Sequence, residues 1–548
     1  MKGKKLLFLF IFLLIIPLAG SHVVAFTNPE VNNVTPTAIK LSVSTRHDAI
    51  LYNKMGAAFA ASPLAAAVGI TSASEISFSG PSTFDGWFKE MTNPFFEKSV
   101  GWGGGPTLFN NLADKGALSP ITDPDLVALI AANISDTIAG ADMKQYDANG
   151  DLIWVGSAIS SFGFTVNNAE LEARGLPKPL TWEDLAAPEF FTFDSQFNIG
   201  LGNAPDTTSN TRIYQILLQK FGWEKGWELI YRMAGNGKIY GGSVETRQSV
   251  ISGETAVAMT IDFYGVIAMN ENPNTEYIVP QNASIVNADP IALAQNPKHP
   301  AAANAFIQYV LSPEGQAVLF DPRINRLPIR ADAFLEPEGI ARPDLKNLYD
   351  LTLSNQAINF DEDLAASQYS TMRFHFEYTI QDVHTKLRDT WSNLVSALKG
   401  GSFLTAPRER FEQLAAEFGQ PAINQSDAIA FEADISDAGF KLAKQTEWNQ
   451  FSNNKFDSVI DHLDDPYTIA VTEVTTSEIV ITTTDITGGT SLVTTETVIT
   501  TTSEVVQTTI ISVSETTTNI PVITMWLFIG LYTPILIIKQ FNKRKKLS

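Results

Sequence analysis

Three consecutive glycines followed by a proline, at residues 103–106, restrict the local fold of this chain more than any other short stretch. Glycine permits a tight turn and close approach of a ligand, and proline suits the first turn of a helix. Leu108, Leu112 and Leu118 then continue an amphipathic pattern. The stretch therefore predicts a helix start whose free N–H groups and partial positive charge suit an anion, with a simple turn as the alternative.

Length and composition exclude several classes of protein. The chain has 548 residues, more than one core needs, and 44% of them are hydrophobic, which predicts two or three folded units plus tails. It has no cysteine, which excludes disulfides, thiolate metal sites, a thiol nucleophile and a lipid-modified N-terminal cysteine. A formal charge of −21 argues against nucleic acid as a partner.

Both ends of the chain have the character of targeting segments. Residues 1–25 combine three lysines, an apolar run and small residues, which predicts a signal peptide cleaved near Ala25, with an uncleaved anchor as the alternative; residues 26–37 would be a linker. Residues 520–538 predict one transmembrane helix, and the basic tail 539–548 would then be cytoplasmic. The chain is thus expected at the cell membrane, single-pass, with its folded part extracellular.

A Thr/Ser-rich segment, residues 466–519, precedes the predicted span. Its β-branched residues are compatible with strands, but it has almost no aromatic residues with which to build a core. We interpret it as an extended stalk.

Polar residues follow most of the predicted strands of an α/β fold. Such positions lie at the carboxyl ends of strands, where open α/β sheets bind ligands. Helix capping and solvated side chains remain the alternative for each residue taken alone. The candidates with the Gly103 loop are Ser44, Arg46, His47, Thr107, Ser157, Thr208, Ser209, Asp262 and Tyr264. Residues 152–157 and 162–167 predict two separate strands, and the pattern becomes mostly helical over residues 336–465.

Six motifs, in order, resemble the solute-binding proteins of ABC importers, specifically the iron-type or family 1 branch. They are residues 43–47 (VSTRH), 102–109 (WGGGPTLF), 179–185 (PLTWEDL), 222–227 (GWEKGW), 260–264 (TIDFY) and 311–316 (LSPEGQ). The resemblance covers residues 38–335 and implies a type II periplasmic-binding-protein fold, in which two α/β lobes joined by a hinge trap a small solute. It also implies an ABC permease and its ATPase subunit as partners, and no enzymatic activity.

The resemblance also implies a test for iron. Ferric binders of this branch supply a His, a Glu and two adjacent Tyr; His47 and Tyr264 match, whereas Gly103 and Phe263 replace the other two. Because ferric ion needs several oxygen donors, we expect a small organic or anionic solute and no metal or other cofactor, although Glu75 or Asp262 would be substitute donors. The expected ligand-binding set is Ser44, Arg46, His47, Gly103, Gly104, Gly105, Thr107, Ser157, Thr208, Ser209, Asp262 and Tyr264; an iron site would use His47 and Tyr264.

Three alternatives stay open at this point. One is a ferric-iron receptor of the same family. Another is a secreted hydrolase, for which Glu75, Asp262 and His47 would supply acid and base, but Ser160 and Ser161 lack a Gly-x-Ser-x-Gly setting. The third is a cell-surface adhesin on a stalk. A tethered receptor fits a single-membrane, archaeal type of cell.

Overall fold

The computed structural model describes residues 38–81, 84–355, 358–403, 407–464, 474–484 and 490–500. The chain divides into two compact units, Met1–Asp465 and Pro466–Ser548. The predicted signal peptide, linker, transmembrane helix and basic tail lie outside the described residues. Within the ranges described, no helix is both long and apolar enough to cross a membrane.

The first unit begins with an α/β lobe, lobe 1. Parallel strands alternate with helices, and the segment ends in a long strand. The elements are β1 (Leu41–Thr45), α1 (Ala49–Ala60), α2 (Pro63–Ala67), β2 (Ile76–Ser79), α3 (Phe84–Thr92), β3 (Val100–Trp102), α4 (Pro106–Asp114), β4 (Leu118–Ser119), α5 (Pro124–Asn133), β5 (Thr137–Ile138), β6 (Ala141–Asp142), β7 (Lys144–Tyr146) and β8 (Leu152–Asn167).

The chain then builds a second α/β lobe, lobe 2, around the far half of β8. Its elements are α6 (Asn168–Ala173), α7 (Trp182–Leu185), β9 (Ile199–Gly202), α8 (Thr208–Phe221), α9 (Trp223–Asn236), β10 (Gly237–Tyr240), α10 (Ser243–Ser252), β11 (Val257–Ile261), α11 (Asp262–Glu271) and β12 (Thr275–Ile278).

The chain returns to lobe 1 and ends the unit in helices. It does so through β13 (Val286–Ala294), α12 (Pro300–Val310), α13 (Pro313–Ala317) and β14 (Leu327–Pro328). The helices that follow are α14 (Pro337–Ile340), α15 (Pro343–Ser354), α16 (Glu362–Ser367), α17 (Tyr369–Phe376), α18 (His384–Lys399), α19 (Pro407–Phe418), α20 (Gln425–Phe431) and α21 (Ala438–Asp461).

One strand, β8, joins the two lobes. The sheet order is β10-β9-β11-β8-β13-β3-β1-β2, with β1, β2 and β3 parallel and β8 antiparallel to both β13 and β11. The prediction of two strands with a link between them is wrong here, because all sixteen residues of β8 are buried and the supposed link is itself paired. Small residues allow this stretch to lie inside the sheet.

Two separate hydrophobic cores confirm the two-lobed α/β architecture. The core of lobe 1 includes Trp102, Trp154 and Phe306, whereas that of lobe 2 includes Trp182 and Trp227. Helices α18 to α21 add their apolar side chains to the lobe 2 core, among them Trp391, Phe418 and Trp448. Helices α17 to α21 therefore enlarge lobe 2, whereas Leu345 and Tyr349 of α15 belong to the core of lobe 1.

The second unit contains an antiparallel hairpin. Its strands are β15 (Val474–Thr484) and β16 (Thr490–Thr500), paired from Val474 with Thr500 to Thr484 with Thr490. The strands allowed by the β-branched residues of the predicted stalk are thus present, and the remainder of residues 466–519 lies outside the described ranges.

Candidate functional site

The Gly103 loop lies at the carboxyl ends of β1 and β3, beside His47. Gly103, Gly104 and Gly105 have φ angles of 81°, 118° and 84°, in the region that favours glycine. A Cβ atom on Gly103 would lie 2.7 Å from both Cε1 and Nε2 of His47. The glycines therefore let the backbone pack directly on the imidazole, and α4 begins at Pro106 as predicted.

His47 is a neutral, buried group. Its ring packs edge-on against Trp102, with centroids 4.3 Å apart. Burial lowers the pKa of His47 to about 3, although neighbouring Asp289 acts in the opposite direction. The ring therefore stays uncharged at neutral pH and offers a hydrogen-bonding nitrogen rather than a cation.

Asp289 and Arg326 complete the edge of lobe 1, and the sequence analysis missed both. Asp289 lies where the register of β13 against β8 shifts, between Ala288 and Pro290. One of its oxygens accepts from the Gly104 N–H at 3.2 Å, and the other from Arg326 Nη1 at 2.8 Å. The guanidinium of Arg326 also lies 4.2 Å from the ring centroid of Phe263 in lobe 2. Phe263 thus serves as a cation–π partner across the lobes.

The carboxyl end of β11 brings Asp262 and Tyr264 to the facing edge of lobe 2. The Asp262 carboxylate accepts from the backbone N–H groups of Ser161 and Phe263, each at 2.7 Å. Because both oxygens accept backbone N–H groups, this carboxyl is anchored to the shared strand β8 and to the start of α11. Burial raises its pKa to about 7. The Tyr264 ring lies 5.1 Å from the guanidinium carbon of Arg247, and burial raises its pKa.

The start of α8 supplies further polar groups from lobe 2. Thr208 is exposed, and the Ser209 hydroxyl is 2.9 Å from that of Ser243. Asn203 and Thr207, in the turn between β9 and α8, are buried. The predicted Thr/Ser cluster is therefore at the interlobe edge, with Asn203 and Thr207 as additional members.

Arg212 on α8 reaches across to lobe 1. Its Nη2 donates to Thr107 Oγ1 at 2.6 Å, and Nη1 and Nη2 each lie 3.1 Å from Glu362 Oε2. Thr107 Oγ1 donates to the same oxygen at 2.6 Å. These three side chains join lobe 1, lobe 2 and α16.

Three side chains that the sequence suggested as ligand contacts or metal donors make other contacts in the structure. The Ser44 hydroxyl donates to Glu90 of α3, inside lobe 1, and Ser157 accepts from Trp102 Nε1 and donates to the Asp289 carbonyl. Glu75 accepts from the N–H groups of Thr71 and Ser72 before β2 begins, at the opposite end of that strand from the site. Ser157 therefore supports Trp102 and Asp289 beside the loop, whereas Ser44 is bound to α3.

Arg46 follows β1 and contacts the region after lobe 1. Burial lowers the pKa of Arg46, while neighbouring Tyr369 of α17 acts in the opposite direction. Together with Arg212, Arg247 and Arg326, it makes four arginines that lie where the lobes face each other.

Several buried polar atoms of the interlobe edge have no hydrogen-bond partner among the described residues. Lobe 1 contributes His47 Nε2, which lies 3.4 Å from Asp289 without bonding it, and Asn287 Oδ1. Lobe 2 contributes Asn203 Oδ1, Thr207 Oγ1 and Arg247 Nε. Buried polar groups left unpaired are costly and uncommon, so these atoms at the facing edges of the two lobes are candidates for ligand contacts.

A metal site needs side chains, such as those of His, Asp and Glu, that come together as ligands of the ion. Across the described ranges, no group of three or more His, Asp or Glu residues converges in a way that would hold an ion. His47 and Tyr264, the two residues that an iron site would use, belong to lobe 1 and lobe 2 respectively.

Comparison with known proteins identifies relatives. Residues 102–347 match the family described as bacterial extracellular solute-binding protein. The phosphoglycerate transport regulatory protein PgtC of Salmonella typhimurium is 27% identical over 304 residues, which cover 55% of this chain and 71% of PgtC.

Two solved structures are also similar. The periplasmic binding protein P5PA has 19% identity and a TM-score of 0.46, covering 61% of this chain and 96% of P5PA. AfuA from Actinobacillus pleuropneumoniae, solved with fructose 6-phosphate, has 17% identity and a TM-score of 0.44, covering 57% and 98%. Over residues 102–347, the chain is similar to the bacterial extracellular solute-binding protein family.

Proposed function

We propose that this chain is the membrane-anchored extracellular receptor of an ABC importer, and that its solute is a small hydroxylated organic anion. The solute would carry a phosphate or carboxylate and would be held between the two lobes. The permease and its ATPase subunit would be the partners, and the segments 1–25 and 520–538 would export and anchor the receptor. Hinge closure around a solute is the general mechanism of two-lobed receptors.

The single observation that carries this proposal is the set of unpaired polar atoms at the interlobe edge. Arg247 Nε is a donor, and Asn203 Oδ1 and Asn287 Oδ1 are acceptors, while Thr207 Oγ1 does either. A ligand that satisfies all of them needs both acceptor oxygens and hydroxyl donors. A phosphorylated or carboxylated polyol has both.

Arginine chemistry favours an anion over a cation at this edge. Arg247 and Arg326 approach from opposite lobes, and each stacks on an aromatic ring of lobe 2, Tyr264 or Phe263. Such stacking positions a planar guanidinium, which is well matched to two oxygens of a phosphate or carboxylate. The similarity to PgtC, named for phosphoglycerate transport, supports the same class of solute.

Isothermal titration of the purified chain tests the proposal. The probes are 3-phosphoglycerate, fructose 6-phosphate, citrate, inorganic phosphate, spermidine and ferric citrate. We expect saturable binding of an organic anion, weakened at least about tenfold by Arg247→Gln, since a charged hydrogen bond contributes about 1.5–3 kcal/mol.

Arg408→Gln is the matched control, because the Arg408 side chain is 54% exposed on α19 and pairs at the surface with Glu189 and Glu412. This variant should bind like the wild type. Binding of spermidine or ferric ion alone, or equal binding by both variants, would contradict the proposed solute class.

A further inference from the structure

The segment after lobe 1 bridges the two lobes. We call residues 358–373, which include α16 and the start of α17, the bridging segment. It makes several hydrogen bonds to lobe 2: Gln219 exchanges hydrogen bonds with the backbone of Asp361 at 2.7 and 2.8 Å, and Gln215 Nε2 donates to the Ala365 carbonyl at 3.0 Å. On its other side, α16 packs against α4 of lobe 1. Its own Arg373 donates to the Ala204 carbonyl at 3.1 Å. The bridging segment is therefore held to lobe 2 by hydrogen bonds and also lies against α4 of lobe 1.

From this position Glu362 extends one carboxylate oxygen into a pair of buried donors. Thr107 and Arg212 are each 7% exposed, and both donate to that same oxygen. The Arg212 guanidinium also lies 4.8 Å from the ring centroid of Phe360, which orients it. One hydroxyl and a guanidinium held in this way are the donor set that a carboxylate or phosphate oxygen requires.

Thr107 and Arg212 belong to different lobes, so the carboxylate of Glu362 connects lobes as a bound solute would. A Cβ atom built on Gly105 would lie 3.5 Å from Asn287 Nδ2 and 4.0 Å from Arg212 Nη2. The pair is thus continuous with the interlobe edge that carries the unpaired polar atoms.

We infer that Thr107 and Arg212 form an anion-binding subsite and that Glu362 is its built-in occupant, which an anionic group of the solute displaces. The inference deepens the proposed function and rests on it for the identity of the natural anion. A carboxylate attached to lobe 2 has a high effective concentration at the subsite, so free small anions compete poorly with it in the wild type. Glu362 then sets which anions bind, and how tightly.

Replacement of Glu362 by alanine tests the subsite without the natural solute. In Glu362→Ala the full chain should gain stabilisation by sodium acetate or inorganic phosphate, read as a rise in Tm of about 2 °C or more over sodium chloride at equal ionic strength. The wild type should show no such difference. Adding Arg212→Gln to Glu362→Ala should abolish the gain.

Glu432→Ala separates an emptied subsite from a loosened segment. Glu432 accepts from the N–H groups of Ser370 and Thr371, both at 2.9 Å, and so anchors the bridging segment without touching Thr107 or Arg212. This variant should show no acetate effect. An equal acetate effect in Glu432→Ala, or none in Glu362→Ala, would overturn the subsite.

Glu362→Gln covers the case in which the alanine variant fails to fold. It keeps the shape of the side chain but removes its charge, and it should bind inorganic phosphate at least about tenfold more tightly than the wild type, as measured by titration. Unchanged or weaker phosphate binding refutes the inference. Acetate rescue combined with no binding of any organic anion by the wild type would retain the subsite and refute the proposed solute.

Discussion

Gly103→Ala is the substitution whose cost the structure defines most fully. Two terms add: the left-handed backbone, with φ of 81°, and the contact of the new Cβ with His47 at 2.7 Å. The backbone term is about 1–2 kcal/mol, reduced by up to about 1 kcal/mol because alanine restricts the unfolded chain. An ordinary contact needs about 3.4 Å, so the buried imidazole has to move by roughly 0.7 Å, which costs about 1–3 kcal/mol of overpacking.

Gly69→Ala isolates the backbone term. Gly69 has nearly the same φ, 78°, and a Cβ there would meet no atom within 4 Å. Urea denaturation of the purified chain should therefore show a loss of about 1 kcal/mol for Gly69→Ala and about 2–4 kcal/mol for Gly103→Ala, with unchanged m values. Because His47 packs between Trp102 and Asp289, the ring has little room to relax.

Two outcomes of the comparison between Gly69→Ala and Gly103→Ala would contradict this reasoning. Equal losses for the two glycines would mean that His47 moves without cost, and the interpretation of residues 103–105 as a loop packed on the imidazole would be wrong. A larger loss at Gly69 would refute the structure of the loop itself.

Two further predictions concern the docking of α18 on lobe 2 and the loss of stability at acid pH. Asn236→Ala should lower the free energy of unfolding in urea by about 2–4 kcal/mol, because Asn236 donates to the Leu185 and Ala187 carbonyls and accepts from Trp391 Nε1 of α18. The control Asn393→Ala changes an exposed residue and should cost little. Equal losses of stability would contradict docking of α18 on lobe 2. The Lys40 ammonium and the Thr71 and Ser72 N–H groups lower the pKa of Glu75 to about 2, so its stabilisation is present above pH 4.5 and lost as pH falls toward 2. Glu75→Gln should therefore flatten Tm against pH between 4.5 and 2, and an unchanged slope would refute this.

Local pattern is enough to place several candidate residues at strand ends, although their role in binding stays a prediction. Arg46, His47 and the glycine loop directly follow buried strands of lobe 1, and Asp262 and Tyr264 follow a buried strand of lobe 2. The sequence pattern was misleading for β8. Glycine and serine in the middle of this strand are typical of a loop, and only pairing with the neighbouring strands makes them part of a buried strand.

The residues that the sequence missed are those defined by distant pairing. Asp289 lies 185 residues from Gly104, and Glu362 lies 255 residues from Thr107. The only local signal was polar Asn287 and Asp289 inside a strand pattern, which departs from the apolar run expected of a buried strand. No signal within the helical region distinguishes Glu362 from other surface carboxylates of an acidic chain.

The position of Glu362 has a consequence for how tightly a receptor of this design binds. A solute whose anion needs the Thr107–Arg212 subsite binds only the fraction of molecules in which Glu362 has left it. If that fraction is about one tenth, the apparent dissociation constant rises about tenfold above the intrinsic one. A solute that uses only the atoms near His47 and Arg247 escapes this penalty. If Glu362 occupies the proposed subsite, its carboxylate would discriminate between anions by the number of charged groups that they present and by the distance between them, and not only by total charge.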